Sequence, residues 1–507
     1  MIKRIIIIAL ASLSCTVRAQ SFSGTVFLDR NQNGVKDQGE KGIKGILVSN
    51  GDTIVKTDRQ GHYTLPYVDG GSLFPILPAD YTMSGSRIVN ANFSYMKEGN
   101  AGTADFALVR KRVSNHFRLN AVGDVQVGNY QELEYATRTL WPELLEPADN
   151  GKNGPTREIN LFLGDLVNNN LSLYDELNTL IGQLPQQSWT VLGNHDRDVD
   201  SLAWRQTRSY NEKFGADMYA FNEGKVHFLI LNNVYPDGTR GYKNHLSERQ
   251  LRFVEQDLRY VPADRLIVLS MHIPIAYTDN RADLFRLLAG RGDVLAITAH
   301  LHQVARFFHK ADGLRIHELG AGATCGFWWV GEKDADGVPT ALQQEGTPRN
   351  YFMIDFDDRD YRLRCKAIGR DAHQQMNIYV TGIDSLDTHL RDLKDVPSGL
   401  LTMTVYGGCD STRVRCRLDG GEWQKCQKQM MIAPNVARIR EMNLIGQYPT
   451  LYNRVNPMRR RDSHQLWTLM LPEDCRRGAH CVEVEAVDNW GFQAKGRRSF
   501  CFPKEKQ

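Results

Sequence analysis

The chain has 507 residues, 41% of them hydrophobic and 24% charged, with a formal net charge of +3. That length exceeds what one hydrophobic core supports and points to roughly two to four domains. The near-balanced charge is far from a polycationic surface, so no nucleic-acid polymer is expected as a partner. The composition fits neither a disordered nor a collagen-like chain.

At the N-terminus Lys3 and Arg4 precede the apolar run Ile5 to Leu13, and Val17-Arg18-Ala19 offers a small-residue cleavage site. This is the layout of a secretory signal peptide over residues 1–19. The run is too short to span a bilayer, and no later stretch reads as a transmembrane span. Cys15 suggests a lipid anchor as the alternative, although Ser12-Leu13-Ser14 is a poor lipobox. The expectation is export, to the periplasm or to the cell surface.

Residues 20–112 read as an N-terminal β-sandwich of immunoglobulin-like or prealbumin-like shape. Phe22 to Leu28, Gly45 to Val48, Thr53 to Thr57 and His62 to Leu65 are short strands between Gly, Asn and Asp turns. The segment Thr57 to Pro66, TDRQGHYTLP, resembles the strand-turn-strand of secreted carboxypeptidase-regulatory and bacterial surface B-type domains. Asp29 to Glu40 has the spacing of a calcium loop. Asp29, Asn31, Asn33, the Val35 carbonyl, Asp37 and Glu40 would be the ligands, with Gly34 at the sharp turn. Its flanks are strands, so any calcium held there is structural. An Asn/Gly-rich turn is the plain alternative.

Residues 113–370 change character. Apolar runs at Leu119 to Val122, Glu158 to Leu163, Trp189 to Leu192, Val226 to Leu231, Leu266 to Ser270 and Val294 to Thr298 alternate with helical periodicity. The helical stretches are Tyr130 to Leu145, Ser172 to Leu184 and Glu248 to Tyr260, and the alternation indicates α/β layering. Residues 371–507 read as β again, with a hairpin signal at Asp419 to Trp423, DGGEW. Six of the nine cysteines, Cys409, Cys416, Cys426, Cys475, Cys481 and Cys501, crowd into this last part. In an exported chain they suggest disulfides, with Cys416 facing Cys426 across a hairpin and Cys475 closing a short loop with Cys481. A zinc site lacks the CxxC spacing it would need.

Five short segments in the middle region carry the chemistry: GDVQ (123–126), LGDLV (163–167), LGNHD (192–196), MHIP (271–274) and AHLH (299–302). Each follows an apolar run. Taken singly, a GD or an Asn-His-Asp is an ordinary turn and His272 an ordinary core histidine; their order together is what counts. Hydrolysing a phosphate ester needs the phosphoryl charge neutralised, water made nucleophilic and the leaving oxygen stabilised, and two divalent metals can supply all three. Asp124, Asp165, Asn194, His272, His300 and His302 are the N and O donors such a pair requires, on loops that rigid strands hold in place.

The set resembles the calcineurin-like metallophosphoesterase superfamily, whose pattern is DxH, GDxx, GNH[DE], a later H, and GHxH. The whole chain is similar to a three-domain bacterial subfamily, and Leu466 to Gly491 looks like its last domain. The resemblance implies a central α/β/β/α sandwich between an N-terminal β-sandwich and a C-terminal β domain. It also implies that a hydroxide bridging the metals attacks phosphorus in a mono- or diester. Metal one would be held by Asp124, Gln126, Asp165 and His302, and metal two by Asp165, Asn194, His272 and His300. His195 would contact the phosphate or protonate the leaving group, oriented by Asp196.

Gln126 stands where the pattern has His. A carboxamide binds more weakly than imidazole, so looser binding at metal one is expected, with Zn, Mn or Fe as the metals and Mg tolerated. Ala299 replaces a Gly. Phe327, Trp328 and Trp329 follow a Gly-rich stretch and, with Tyr277, are candidates to border the substrate; packing against the C-terminal domain is the alternative. His227, His245, His309 and His317 read as structural. Two rival functions differ from simple ester hydrolysis: a surface binding protein with a vestigial core, and a pyrophosphate hydrolase acting on nucleotides or lipids.

Overall fold

The computed structural model describes residues 20–97, 102–146, 157–384, 389–445 and 459–502. The leader read over residues 1–19, with Cys15, lies outside the described residues.

Two mixed sheets form the centre. The first has five strands in the order Gln187–Thr190, Glu158–Phe162, His116–Val122, Asn350–Asp357, Asp360–Ala367. Its first three strands are parallel and the last two antiparallel. The second has six, in the order Tyr219–Glu223, Val226–Ile230, Leu266–Ser270, Asp293–Thr298, Leu314–Ala321, Val304–Ala311. The inner four run parallel, with an antiparallel strand at either edge. Runs such as VHFLI and LIVLS are buried at every position because both faces of the sheet are covered. The inner faces meet through Phe117, Phe228 and Phe356, with ring centroids 6.3 Å apart for Phe117–Phe228 and 6.1 Å for Phe228–Phe356.

Helices cover the outer faces. Tyr130–Leu145 starts where the Asn129 side chain accepts the Glu132 N–H, satisfying one of the donors a helix start leaves free. It buries Leu133, Ala136, Leu140, Trp141 and Leu144, a stripe at helical spacing, in one cluster with Val122 and Phe162. Tyr174–Gly182 joins the same cluster through Leu177 and Ile181. On the other side Glu248–Leu258, capped by Ser247, and Arg281–Leu288 bury Phe253, Val254, Leu284 and Leu288. The layers are therefore helix, sheet, sheet, helix.

The N-terminal region has a five-stranded and a four-stranded sheet. In His62–Pro66 exposure alternates residue by residue, with Tyr63 and Leu65 inward. Phe74 packs edge-on to Phe253 at 5.6 Å, and Arg252 Nη2 lies 2.8 Å from Asp52 Oδ1, so this region is fastened to the central helices. In the Asp29–Glu40 loop the Asp29 carboxylate accepts the N–H groups of Gln32 and Gly34, and Glu40 accepts those of Arg30 and Asp37. The Asn31 and Asn33 amides both converge on Asp37 Oδ2, at 2.7 and 2.9 Å. The Val35 side chain is exposed.

The C-terminal region has two four-stranded sheets and one two-stranded sheet. The DGGE turn forms as read: Asp419 and Gly420 both have positive φ and Gly421 N–H donates to Leu418 O at 2.8 Å, the backbone of a type I′ hairpin. The region is not β alone, for Pro434–Leu444 is a helix starting on Pro434. Its apolar positions form no strong stripe. It is helical because Val436 and Ala437 are buried in one cluster with Leu390 and Leu393, while Arg440 pairs with Asp392 at 2.7 Å. The eight described cysteines are free thiols in this structure. Cys416 pairs in register with Gln424, two residues before Cys426, so the two thiols lie near each other across the hairpin and perturb one another. Cys481 instead accepts from Arg497 Nε at 3.2 Å. Among the described residues no helix is long and apolar enough to cross a membrane.

The seam between the central and C-terminal regions is polar. Arg306 Nη1 lies 2.5 Å from Asp488 Oδ2, both side chains being almost fully buried, and Arg306 also donates to Gly407 O. Gln465 donates to Val304 O and accepts from Thr347. Beside them Glu345 is buried, and neither carboxylate oxygen has a hydrogen-bond partner among the described residues. Burial raises its pKa from the ordinary 4.5 to about 8. The folded state thus holds a proton that the unfolded chain releases, so this contribution is present below about pH 4.5 and is lost as the pH rises toward 8, on the order of 5 kcal/mol in all. Thermal unfolding of the wild type and Glu345→Gln between pH 5 and pH 8 checks this. The variant is expected to gain stability over the wild type as the pH rises; a difference that does not change with pH contradicts it.

Candidate dinuclear metal centre

Every ligand read from the sequence lies just past the C-terminal end of a parallel strand. Asp124 follows His116–Val122, Asp165 follows Glu158–Phe162, and Asn194 follows Gln187–Thr190 in one sheet. His272 follows Leu266–Ser270, and His300 and His302 follow Asp293–Thr298, in the other. Two facing sheets therefore deliver their loops to one edge, the place where open α/β sheets bind ligands.

The loops approach so closely that side chains must be absent. A Cβ at Gly193 would lie 2.0 Å from Asp165 N and 2.2 Å from Asp165 Oδ1. Gly164, at φ +90°, leaves room for Gly193 and for His272 Nδ1, both 2.8 Å from where its Cβ would be. The backbone is bent to match. Five of the thirteen non-glycine residues with positive φ among the described residues are ligands: Asp124, Gln126, Asp165, His300 and His302. Such conformations cost roughly 1–3 kcal/mol each and persist where surrounding structure imposes them. Ala299 is not among them, so the glycine of the family pattern is not required there.

The donors for metal two are in contact. His272 Nε2 lies 3.2 Å from Asp165 Oδ2, 3.1 Å from Asn194 Oδ1 and 3.3 Å from His300 Nδ1. Its Nδ1 donates to Leu163 O at 2.8 Å, which turns Nε2 toward that group. Burial disfavours a cation on His272, yet Asp165 and Asp124 outweigh it and hold the imidazole up to about 9. The position demands positive charge. For metal one, Asp124 Oδ1 is buried without a hydrogen-bond partner among the described residues and lies 3.7 Å from His302 Nε2. His302 Nδ1 is tied to Gly326 O at 2.8 Å. Gln126 is buried, its N–H bonded to Asp165 O at 2.8 Å and its Oε1 3.7 Å from Cys325 Sγ.

The electrostatics suit cations. Burial and Asp165 push Asp124 upward against the pull of His272, the signature of two carboxylates sharing a dry site. His300 and His302 are pushed down by burial, to about 3 and about 4, and are therefore the neutral imidazoles that metal binding requires. A buried acceptor without a partner, neutral imidazoles and paired carboxylates together fit two divalent ions.

Two roles differ from the sequence reading. Asp196 does not orient His195. Its carboxylate accepts the N–H groups of Gly193, Leu166 and Val167, so it staples the GNHD loop to the GD loop. His195 is fixed through its backbone, donating to Asp165 Oδ1 at 2.8 Å, and its Nδ1 has no partner among the described residues. The three aromatics also separate. Trp329 is buried, its indole donating to Val125 O at 3.0 Å, so it is a core residue and not a substrate contact. Trp328, at φ +52°, turns the other way, 5.4 Å from the His302 ring and 5.2 Å from Phe327. Tyr277 is half-exposed and packs on Phe307.

Other residues carry the site without a motif to announce them. Glu318, fully buried, accepts the Ile275 and Ala276 N–H groups and so pins the turn after His272, with His309 on its other side. Arg197 donates to the carbonyls of Asn194, Arg240 and Gly241 and lies 5.0 Å from the Tyr242 ring. It thereby holds the Val234–Asn244 hairpin beside the ligands. A charged residue directly after GNHD was the available signal.

Three family models match the chain: N terminal of Calcineurin-like phosphoesterase over residues 30–111, Calcineurin-like phosphoesterase over 117–304, and C terminal of Calcineurin-like phosphoesterase over 318–493. No curated protein matches by sequence. Among solved structures, a purple acid phosphatase from yellow lupin (Lupinus luteus) seeds is similar at 12% identity and a TM-score of 0.34, over 64% of this chain and 67% of that one. The phosphopantetheinyl hydrolase of Mycobacterium tuberculosis is similar at 15% identity and a TM-score of 0.27, over 42% of this chain and 93% of that one. With the three models in register along its length and the ligands assembled, the chain belongs to the calcineurin-like phosphoesterase family and is a metal-dependent phosphoric ester hydrolase.

Proposed function

We propose that the protein is an exported phosphoesterase that hydrolyses a phosphate mono- or diester at a dinuclear centre. The observation that carries this reading is the convergence of Asp124, Gln126, Asp165, Asn194, His272, His300 and His302 at one sheet edge. Two divalent ions bound there would neutralise the phosphoryl group, activate water and stabilise the leaving oxygen. Asp165, whose carboxylate meets His272 Nε2 at 3.2 Å, would be the ligand shared by the two ions. His195, held by its backbone on Asp165, faces the substrate and passes a proton to the leaving oxygen. Trp328 and Phe327 border the organic portion of the substrate. The leader at residues 1–19 supports export, and in an oxidising compartment Cys416 and Cys426 are the pair best placed to join. The two N-terminal sheets are read as an immunoglobulin-like or prealbumin-like sandwich.

The metals follow from the donors. Asn and His at site two suit Zn, Mn or Fe, while the Gln126 carboxamide lowers affinity at site one and admits Mg. In the Asp29–Glu40 loop the side chains of Asn31, Asn33 and Asp37 meet at one point, and a structural calcium would draw their oxygens together if the two asparagine side chains turn away from the Asn33 and Val35 N–H groups they accept from.

Purified protein assayed on p-nitrophenyl phosphate and its bis ester with Zn, Mn, Fe or Mg is expected to turn over at least one of them. Asp165→Asn and His195→Ala should each lower kcat/KM by about 10²-fold or more; equal rates for all three proteins would sink the enzymatic reading. Metal analysis after gel filtration should find roughly one tightly held ion in the wild type and about two in Gln126→His; two ions in both would show that the carboxamide costs nothing. Adding calcium should raise the melting temperature of the wild type by a few degrees, and not that of Glu40→Gln. A wild-type melting temperature that ignores calcium removes the loop from consideration.

A further inference from the structure

A cavity of about 530 Å³ lies where the N-terminal sheets meet the six-stranded sheet, a volume typical of small-molecule sites. It is at the opposite pole from the metal ligands. Lys225 and His227 stand at the start of Val226–Ile230, and Arg265 just before Leu266–Ser270, whereas the ligands follow strand ends. His227 pairs in register with Ile267, five residues before His272. At about 3.3 Å per residue the cavity is roughly 16 Å from the centre.

The wall is a built polar surface. Asp257 is 1% exposed. One of its oxygens lies 2.7 Å from His227 Nε2, and the other has no hydrogen-bond partner among the described residues. His227 Nδ1 in turn meets Asn222 Oδ1 at 3.1 Å, so the carboxylate is held rigidly. Leaving such an acceptor dry and unpaired costs roughly 1–3 kcal/mol, which a donor from a ligand would recover. Two acids, Asp80 and Asp257, stand with two bases, Lys225 and Arg265, in the lining, and Asp80 is paired with Arg110, Lys225 with Asp358, and Arg265 bonded to Gly224 O. A phosphate or another strongly charged ligand would gain little from that balance. Hydroxyl groups, which both donate and accept, match interleaved donors and acceptors. Tyr260, 42% exposed, is part of the lining, with Lys56 of the N-terminal region 4.7 Å over one face of its ring, and the opposite face can lie against the apolar face of a sugar ring.

We propose that this cavity is a second binding site, for a neutral polyhydroxylated ligand of mono- or disaccharide size, with Asp257 as the acceptor at its base. Leu47, Ile76 and Asp80 belong to the N-terminal region and the remaining wall to the central one, so the ligand bridges the two. Binding does not depend on the reaction at the metals.

The test is saturation-transfer NMR and calorimetry on the full chain with D-glucose, D-galactose, D-mannose, N-acetylglucosamine, maltose and, separately, inorganic phosphate. Saturable binding of at least one sugar is expected, with a Kd on the order of 0.1–10 mM. Asp257→Asn, which exchanges the free acceptor for a donor, and Tyr260→Ala, which changes only the rim, should each weaken it about tenfold, with p-nitrophenyl phosphate turnover unchanged. The proposal is overturned if no sugar binds saturably, if both folded variants bind as the wild type does, or if phosphate competes for the sugar at this cavity.

Discussion

Two buried carboxylates, Asp124 and Asp165, form the constraint on which the middle of this protein is organised. Placed together in a dry site they repel each other and attract cations, and the same two carboxylates raise the pKa of His272 against its burial. Bringing them there demands the positive φ of five ligands and the bare Cα atoms of Gly164 and Gly193. That strain is held by groups that touch no substrate: Asp196 ties the GD loop to the GNHD loop, and Glu318 fixes the turn after His272. The ligand loops are thus fixed by the protein's own hydrogen bonds, which is what a centre that positions two ions and a phosphoryl group requires.

The flanking regions are joined to this core by different means. The N-terminal side uses aromatic packing and exposed ion pairs, as at Phe74 with Phe253 and Asp52 with Arg252. The C-terminal side uses a buried pair, Arg306 with Asp488, within a network of carbonyls and amides. A buried pair of this kind adds little net stability but penalises any arrangement that separates its partners. It therefore fixes how the C-terminal region sits beside the strand that leads from His302.

The legible part of the site is the part written as motifs on apolar strands. A strand buried on both faces shows as a continuous apolar run, and the residue after it shows as a break, so the ligands stood out in order. The edge strand Val304–Ala311, half-exposed along most of its length, has no such run and carries no strand signal in the sequence. The helix Pro434–Leu444 was missed for a similar reason, since its contacts, and no stripe of its own, make it helical. Direction was the other gap. Asp196 follows His195, and adjacency suggested contact, but the turn sends the carboxylate to three backbone N–H groups instead. Trp328 and Trp329 are equivalent in sequence, and a φ of +52° at Trp328 sends one toward His302 and the other into the core.

The sequence alone determined the chemistry, because metal ligation depends on residue types, and N and O donors in this order on strand-end loops admit few other uses. It also determined the layering, through hydrophobic period. Which groups support those ligands was decided by tertiary structure alone. Glu318, Arg197 and Tyr242 lie far from, or beside, the motifs in sequence and act through hydrogen bonds and ring contacts that exist once the two sheets face each other. The cavity around Asp257 was decided in the same way, since its walls come from two regions of chain that meet only in the folded molecule.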